Sequence, residues 1–245
     1  GSGRTIGFLV VSVAAGVWFV WRCLHHRSPL MELHLLRVPR FGVANAGVSL
    51  FSAAFAIMLL SNVLWCQEVW GWTALRTGLG MAPGPALVPI VTILSARAMR
   101  RLGPGPLVAA GSVLFAAAML WRVVFVSVTP DYVRDLLPSM LLGGAGVGLA
   151  LGTLIAAGVT SLPMHRSATG SALVNSNRQI FSALGVALLV TLLGSTVGAG
   201  SLSEFRGAWA IAAALALVCT GAGLVLMAQR RTAAPTPAST ELAPV

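Results

Sequence analysis

The chain has 245 residues, of which 57% are hydrophobic and only 9% charged. That is too little charge to cover a water-soluble domain and too much aliphatic content for a disordered one. Sixteen basic residues, all arginine, stand against six acids for a net charge of +10. They lie singly or in small groups between apolar runs, which marks them as topology determinants in a lipid bilayer and argues against a nucleic-acid surface.

A hydrocarbon core of about 30 Å needs about 20 apolar residues in helical form. Seven runs qualify: 5–21, 42–66, 77–95, 106–126, 136–160, 177–198 and 208–228. The sequence therefore reads as an all-α, polytopic membrane protein with seven transmembrane helices. Residues 23–41 read as a basic connection, and 232–245, rich in Pro, Ala and Thr, as a disordered tail. Cys23, Cys66 and Cys219 have no metal or disulfide spacing and read as small apolar residues. The missing initiator Met reads as a piece of a longer protein or as processing.

In chain order, the first run carries Trp18 and Trp21 and passes into Arg22, Arg27, Arg37 and Arg40 with His25, His26 and His34. The second run carries Asn45, Ser49, Ser52 and Asn62, the first three at the i, i+4, i+7 spacing of one helix face. Such a stripe lines a mildly polar cavity for a small-molecule substrate, or bonds a neighbouring helix. Trp65, Trp70 and Trp72 gather at its end beside Glu68. The third run contains MAPGPALVP at 81–89, whose prolines break the backbone ladder. Exposed backbone of that kind is tolerated only against protein or a water-filled cavity. The run is followed by Arg97, Arg100 and Arg101 and by the turn Gly103-Pro104-Gly105, cations that complement a helix C-terminus and an anionic inner leaflet.

The fourth run holds Arg122, far enough along to reach the outer interface and snorkel there. In the fifth, Gly144, Gly148 and Gly152 recur every four residues, stack on one face and admit a close neighbouring backbone. The sixth follows GSALVNSNRQ at 170–179, so Asn175, Arg178 and Gln179 are expected to open a span instead of sitting in mid-membrane. Arg178 there pairs with a carboxylate of another helix, or bonds loop carbonyls and lipid phosphate. The seventh begins near Trp209 and ends before Arg230 and Arg231.

Connections after the first, third, fifth and seventh runs hold eleven arginines, against four (Arg4, Arg76, Arg134, Arg206) on the other side. The positive-inside rule then puts the C-terminus in the cytoplasm. Trp65, Trp70, Trp72, Trp121 and Trp209 fall at the outer level, as an interfacial belt does. No Ser/His/Asp set, metal cluster or phosphate loop is legible, and no enzyme is expected.

FGVAN at 41–45 and QEVWGWTALRTGL at 67–79 leading to Pro83 resemble the second half of major facilitator superfamily proteins, most closely the fourteen-helix drug:proton antiporters of bacteria. RAMRRLG at 97–103 is similar to the superfamily's basic loop motif, and SALVNSNRQ with ALGVA at 183–187 to the segment opening the penultimate helix. Ala96, Gly105 and Phe181 depart from these patterns. The resemblance, over 5–231, implies that 1–22 is an extra central helix and 42–231 the C-terminal six-helix bundle. It implies that the second and fifth spans line the cavity and that Arg97, Arg100, Arg101 and Gly103 form a gating loop. It further implies the bacterial plasma membrane, a proton gradient as energy source, no cofactor, and an N-terminal bundle as partner. The expected function is the C-terminal half of a proton-coupled efflux transporter that exports amphipathic small molecules or drugs by alternating access. A transporter of a defined metabolite and a non-transporting truncated interaction protein are the alternatives.

Overall fold

The structure, a computed structural model, describes residues 18, 33–194, 198 and 200–232. Apart from residue 18, the first predicted span lies outside the described residues, as do the connection up to residue 32 and the tail beyond 232. A 3₁₀ turn, Leu33–Arg37, precedes α1 (Pro39–Leu64), which runs on into a π-helical turn, Trp65–Val69. Then come α2 (Ala74–Met81), α3 (Pro83–Leu102) and α4 (Pro104–Phe125). A second π-helical turn, Tyr132–Leu136, leads into α5 (Leu137–Val159), followed by α6 (Ser167–Leu193) and α7 (Leu202–Thr232). No strand occurs among the described residues. Six helical segments are long and apolar enough to cross a membrane, and they correspond to the second to seventh predicted spans. The fold is an all-α membrane bundle.

Local chemistry sets the ends. Prolines open α1, α3, α4 and α5, where a missing N–H costs nothing. The Thr73 hydroxyl caps α2 by accepting from the Arg76 amide. The single predicted span at 77–95 is two helices meeting at Ala82, because Pro83 cannot donate to the ladder. Gly103, at φ +83°, turns the chain from α3 into α4 within one residue.

The helices form two triplets, α1 with α2–α3 and α4, and α5 with α6 and α7. The first helix of each triplet packs on the other triplet's second and third members: α1 on α6 and α7, α5 on α3 and α4. The two third members, α4 and α7, pack on each other. In lipid no hydrophobic force drives helices together, so close packing must. A Cβ on Gly111 of α4 would lie 2.6 Å from the Ala150 amide nitrogen, and one on Gly146 of α5 would lie 2.7 Å from the Gly111 carbonyl. This pattern leaves α3 and α6 as outriggers. Only 11% and 17% of their apolar windows are buried, against 67% for α1.

One end of the bundle carries Arg37, Arg40, Arg97, Arg100, Arg101, Arg166 and Arg230. The other carries Arg76, Arg134 and Arg206 with all four described acids, Glu68, Asp131, Asp135 and Glu204. Five tryptophans gather at this second end; Trp121 is half-buried, but the other four are buried and do not form an interfacial belt. Trp65 and Trp209 are 1% exposed, Trp70 and Trp72 7%. Their neighbours are protein: Trp65 stacks edge-on against Phe205 and Trp209, the Trp209 indole donates to Ser61 Oγ at 3.0 Å, and Trp70 donates to the Ser127 carbonyl at 3.0 Å. The Trp70 and Trp209 indoles, which the sequence assigns to interfacial water, find polar partners inside the bundle, whereas the buried Trp65 and Trp72 indoles find none.

Candidate functional site

Two cavities open along the face between α3 and α6, with α1 and α5 beneath them. The first, about 530 Å³, lies among α1, α3 and α5. The proline row faces it through Pro85 and Pro89, and Met58, Met81 and Met140 supply a deformable wall. Asn62 also lines it, is 1% exposed, and finds no partner for either end of its amide. The second cavity, about 590 Å³, lies between α1 and α6 and is lined by Ser52, Arg178, Gln179 and Ser182 among apolar residues. Phe55, Leu59 and Leu151 line both. The two thus adjoin along one groove, apolar beside α3 and more polar beside α6, each part of a size to hold a small organic molecule.

The polar stripe of α1 divides between two tasks. Ser49 Oγ donates to the Asn45 carbonyl at 2.9 Å, and Asn177 of α6 donates its amide hydrogens to both that carbonyl and Ser49 Oγ. Asn45 and Ser49 therefore tie α1 to α6, whereas Ser52 and Asn62 meet the groove. Asn177 escapes a reading of the sequence because Asn175 and Arg178 beside it look more conspicuous. Its signal is its place in the polar cluster that faces the α1 stripe.

The placement of Asn175, Arg178 and Gln179 at the opening of a span is corrected. α6 starts at Ser167, so these are the ninth, twelfth and thirteenth residues of a 27-residue helix. The stretch before them is too polar to count as a span, but it buries Gly170, Leu173 and Val174, and tertiary packing extends the helix backwards. Arg178 donates to Asn175 Oδ1 at 3.2 Å.

Arg97, Arg100 and Arg101 occupy the exposed end of α3. Arg230 of α7 lies over Gly103 and donates from both terminal nitrogens to the Arg101 carbonyl at 3.4 Å. Gly144, Gly148 and Gly152 share the face of α5 that meets α3. Added Cβ atoms would come 2.5 Å from the Gly84 carbonyl oxygen, 2.9 Å from Val91 Cβ and 3.5 Å from the Thr92 methyl group respectively.

Arg122 does not snorkel. It is 0% exposed, donates from Nε to Ser139 Oγ at 2.9 Å, and leaves both terminal nitrogens without a partner. Its distance along an apolar run predicts an interfacial side chain, but the bundle buries it completely, with Ser139 of α5 taking its Nε hydrogen. Among the described residues no group of three His, Cys, Asp or Glu side chains is arranged to hold a metal.

No protein-family profile matches the chain. It is 30% identical over 225 residues to the uncharacterized MFS-type transporter YcnB of Bacillus subtilis (strain 168), covering 86% of this chain and 46% of that protein. It is 31% identical over 198 residues to the methylenomycin A resistance protein of Streptomyces coelicolor, with coverages of 80% and 41%. To the multidrug resistance protein Stp of Mycobacterium tuberculosis it is 28% identical over 201 residues, with coverages of 81% and 36%. The chain spans less than half the length of each of these relatives.

Proposed function

The chain belongs to the major facilitator superfamily, and from that membership we propose that it forms the C-terminal half of a proton-coupled efflux transporter exporting amphipathic small molecules. In this reading the protein is of the fourteen-helix drug:proton antiporter kind and resides in a bacterial plasma membrane. Residues 1–22 form an extra central helix, 23–41 a basic cytoplasmic connection, 42–231 the C-terminal bundle and 232–245 a cytoplasmic tail. The crowding of arginines at one end supports a cytoplasmic C-terminus.

The observation that carries the proposal is the groove between α3 and α6, which lies on the least covered helices of the bundle. A second bundle facing this side turns the groove into a cavity near the middle of the membrane, where alternating access needs it. Ser52 and Asn62 then meet the solute, while Asn45 and Ser49 hold the α6 wall to the floor. The glycine face of α5 lets α3 move against it without interlocking side chains. Arg97, Arg100, Arg101 and Gly103 stabilise one gate state through contacts with the facing bundle, and the solute and the proton act by preferring different states. The chemistry needs no cofactor and no catalytic residue, only a proton gradient. The names of the methylenomycin A and multidrug resistance relatives favour a drug-like solute.

The test is efflux of an amphipathic dye by the intact transporter in proteoliposomes under an imposed proton gradient. Arg97→Gln, Arg100→Gln and Arg101→Gln together lower the rate about fivefold or more, the scale of a coupling free energy between states, with membrane insertion unchanged. Efflux that persists at full rate after the gradient is collapsed overturns proton coupling.

A further inference from the structure

The α6 side of the groove carries a charge that the described residues do not balance. Arg178 is the twelfth residue of the 27 in its helix, its Cα roughly 16 Å from the start at 1.5 Å per residue and farther from the other end. Its bonded partner is the neutral amide of Asn175. Neither cavity is lined by a carboxylate, and the four described acids all lie at one end of the bundle. Across the cavity from Arg178, Ser52 Oγ on α1 is buried to 1% exposure and has no hydrogen-bond partner. Gln179 and Ser182 add further donors on α6. A planar cationic fork with hydroxyl and amide donors beside it matches the oxygens of a carboxylate, sulfonate or phosphate.

We propose that the α6 half of the groove is an anion subsite, in which Arg178 and Ser52 receive the negatively charged end of an amphipathic substrate whose apolar body lies in the α3 half. The proposal rests on the transporter reading above and names its substrate class. The shared lining of Phe55, Leu59 and Leu151 allows one molecule to occupy both halves, with the methionine-rich wall adapting to its shape. A cationic amphipath of the same size meets like-charge repulsion at Arg178 and is selected against.

The test uses the intact transporter in proteoliposomes and three fluorescent probes with one dansyl-undecyl body, ending in a carboxylate, a trimethylammonium or an uncharged methyl ester. The wild type transports the carboxylate probe with a lower KM than the cation. Arg178→Gln raises the carboxylate KM about tenfold or more, the range of a hydrogen-bonded charge, and leaves the ester KM unchanged. Arg178→Lys restores part of the loss, and Ser52→Ala raises the carboxylate KM about threefold, which carries the test if the Gln variant misfolds. Preference for the cation with no response to Arg178→Gln overturns the subsite while the transporter reading stands. An equal loss for all three probes without rescue by Lys also overturns it, because Arg178 then serves a carboxylate of the facing bundle. Absence of gradient-driven flux of any probe by the wild type overturns the transporter reading, and the subsite with it.

Discussion

Arg122 and Asn62 show what individual side chains do when a bundle closes around them. Arg122 spends its Nε hydrogen on Ser139 Oγ, which in turn donates to the Leu136 carbonyl. Ser139→Ala should therefore cost about 1.5–3 kcal/mol, the range for a bond to a charged group, and lower the thermal midpoint in a size-exclusion melting assay. Arg122→Met should match or exceed the wild type, because an apolar side chain of similar length replaces a buried charge with unpaired ends. Both outcomes depend on burial inside the bundle against α5, which a hydropathy run does not report. Asn62 makes the opposite case: its type and position are legible as a candidate for solute contact, but its lack of any partner is not. Asn62→Leu should raise stability by about 1 kcal/mol and weaken solute binding, the trade expected of a polar group kept for a ligand. A melting curve paired with a KM reads both.

Among elements, α5 and α6 differ in how far their own sequence specifies their packing. The glycines of α5 recur at a spacing that specifies a smooth face whatever packs on it, and the structure lays that face against α3. Gly144→Ala should cost about 1–3 kcal/mol, since its Cβ has only the Gly84 backbone to displace. Gly152→Ala should stay within about 0.5 kcal/mol, since its Cβ meets the Thr92 methyl at ordinary contact distance, 3.5 Å. Thermal melting of the two variants side by side checks the difference. The start of α6 has no comparable signature. Its first ten residues are polar enough to pass for a loop, and they become helix because Gly170, Leu173 and Val174 find partners across the bundle.

At the scale of the molecule, two triplets pack crosswise around α1, α4, α5 and α7 and leave α3 and α6 bordering one amphipathic face. With positive charge gathered at one end, orientation is directly testable. In a background free of native cysteines, Arg100→Cys should react with a membrane-impermeant maleimide only after permeabilisation, and Asp131→Cys in intact cells. The reverse pattern would invert the topology.

Number of described spans, their alternating direction and the arginine asymmetry were all present in the amino-acid order, because hydropathy and charge are local and lipid responds to them residue by residue. The tertiary structure alone decided that Arg122 is enclosed, that Trp65, Trp70, Trp72 and Trp209 face protein, that Asn45 and Ser49 bond Asn177, and that Ser52, Asn62 and Arg178 border a common groove. In a soluble protein, amphipathic periodicity would announce such choices in advance. In a bilayer both faces of a helix are apolar, and only the shape fit between helices separates inside from outside.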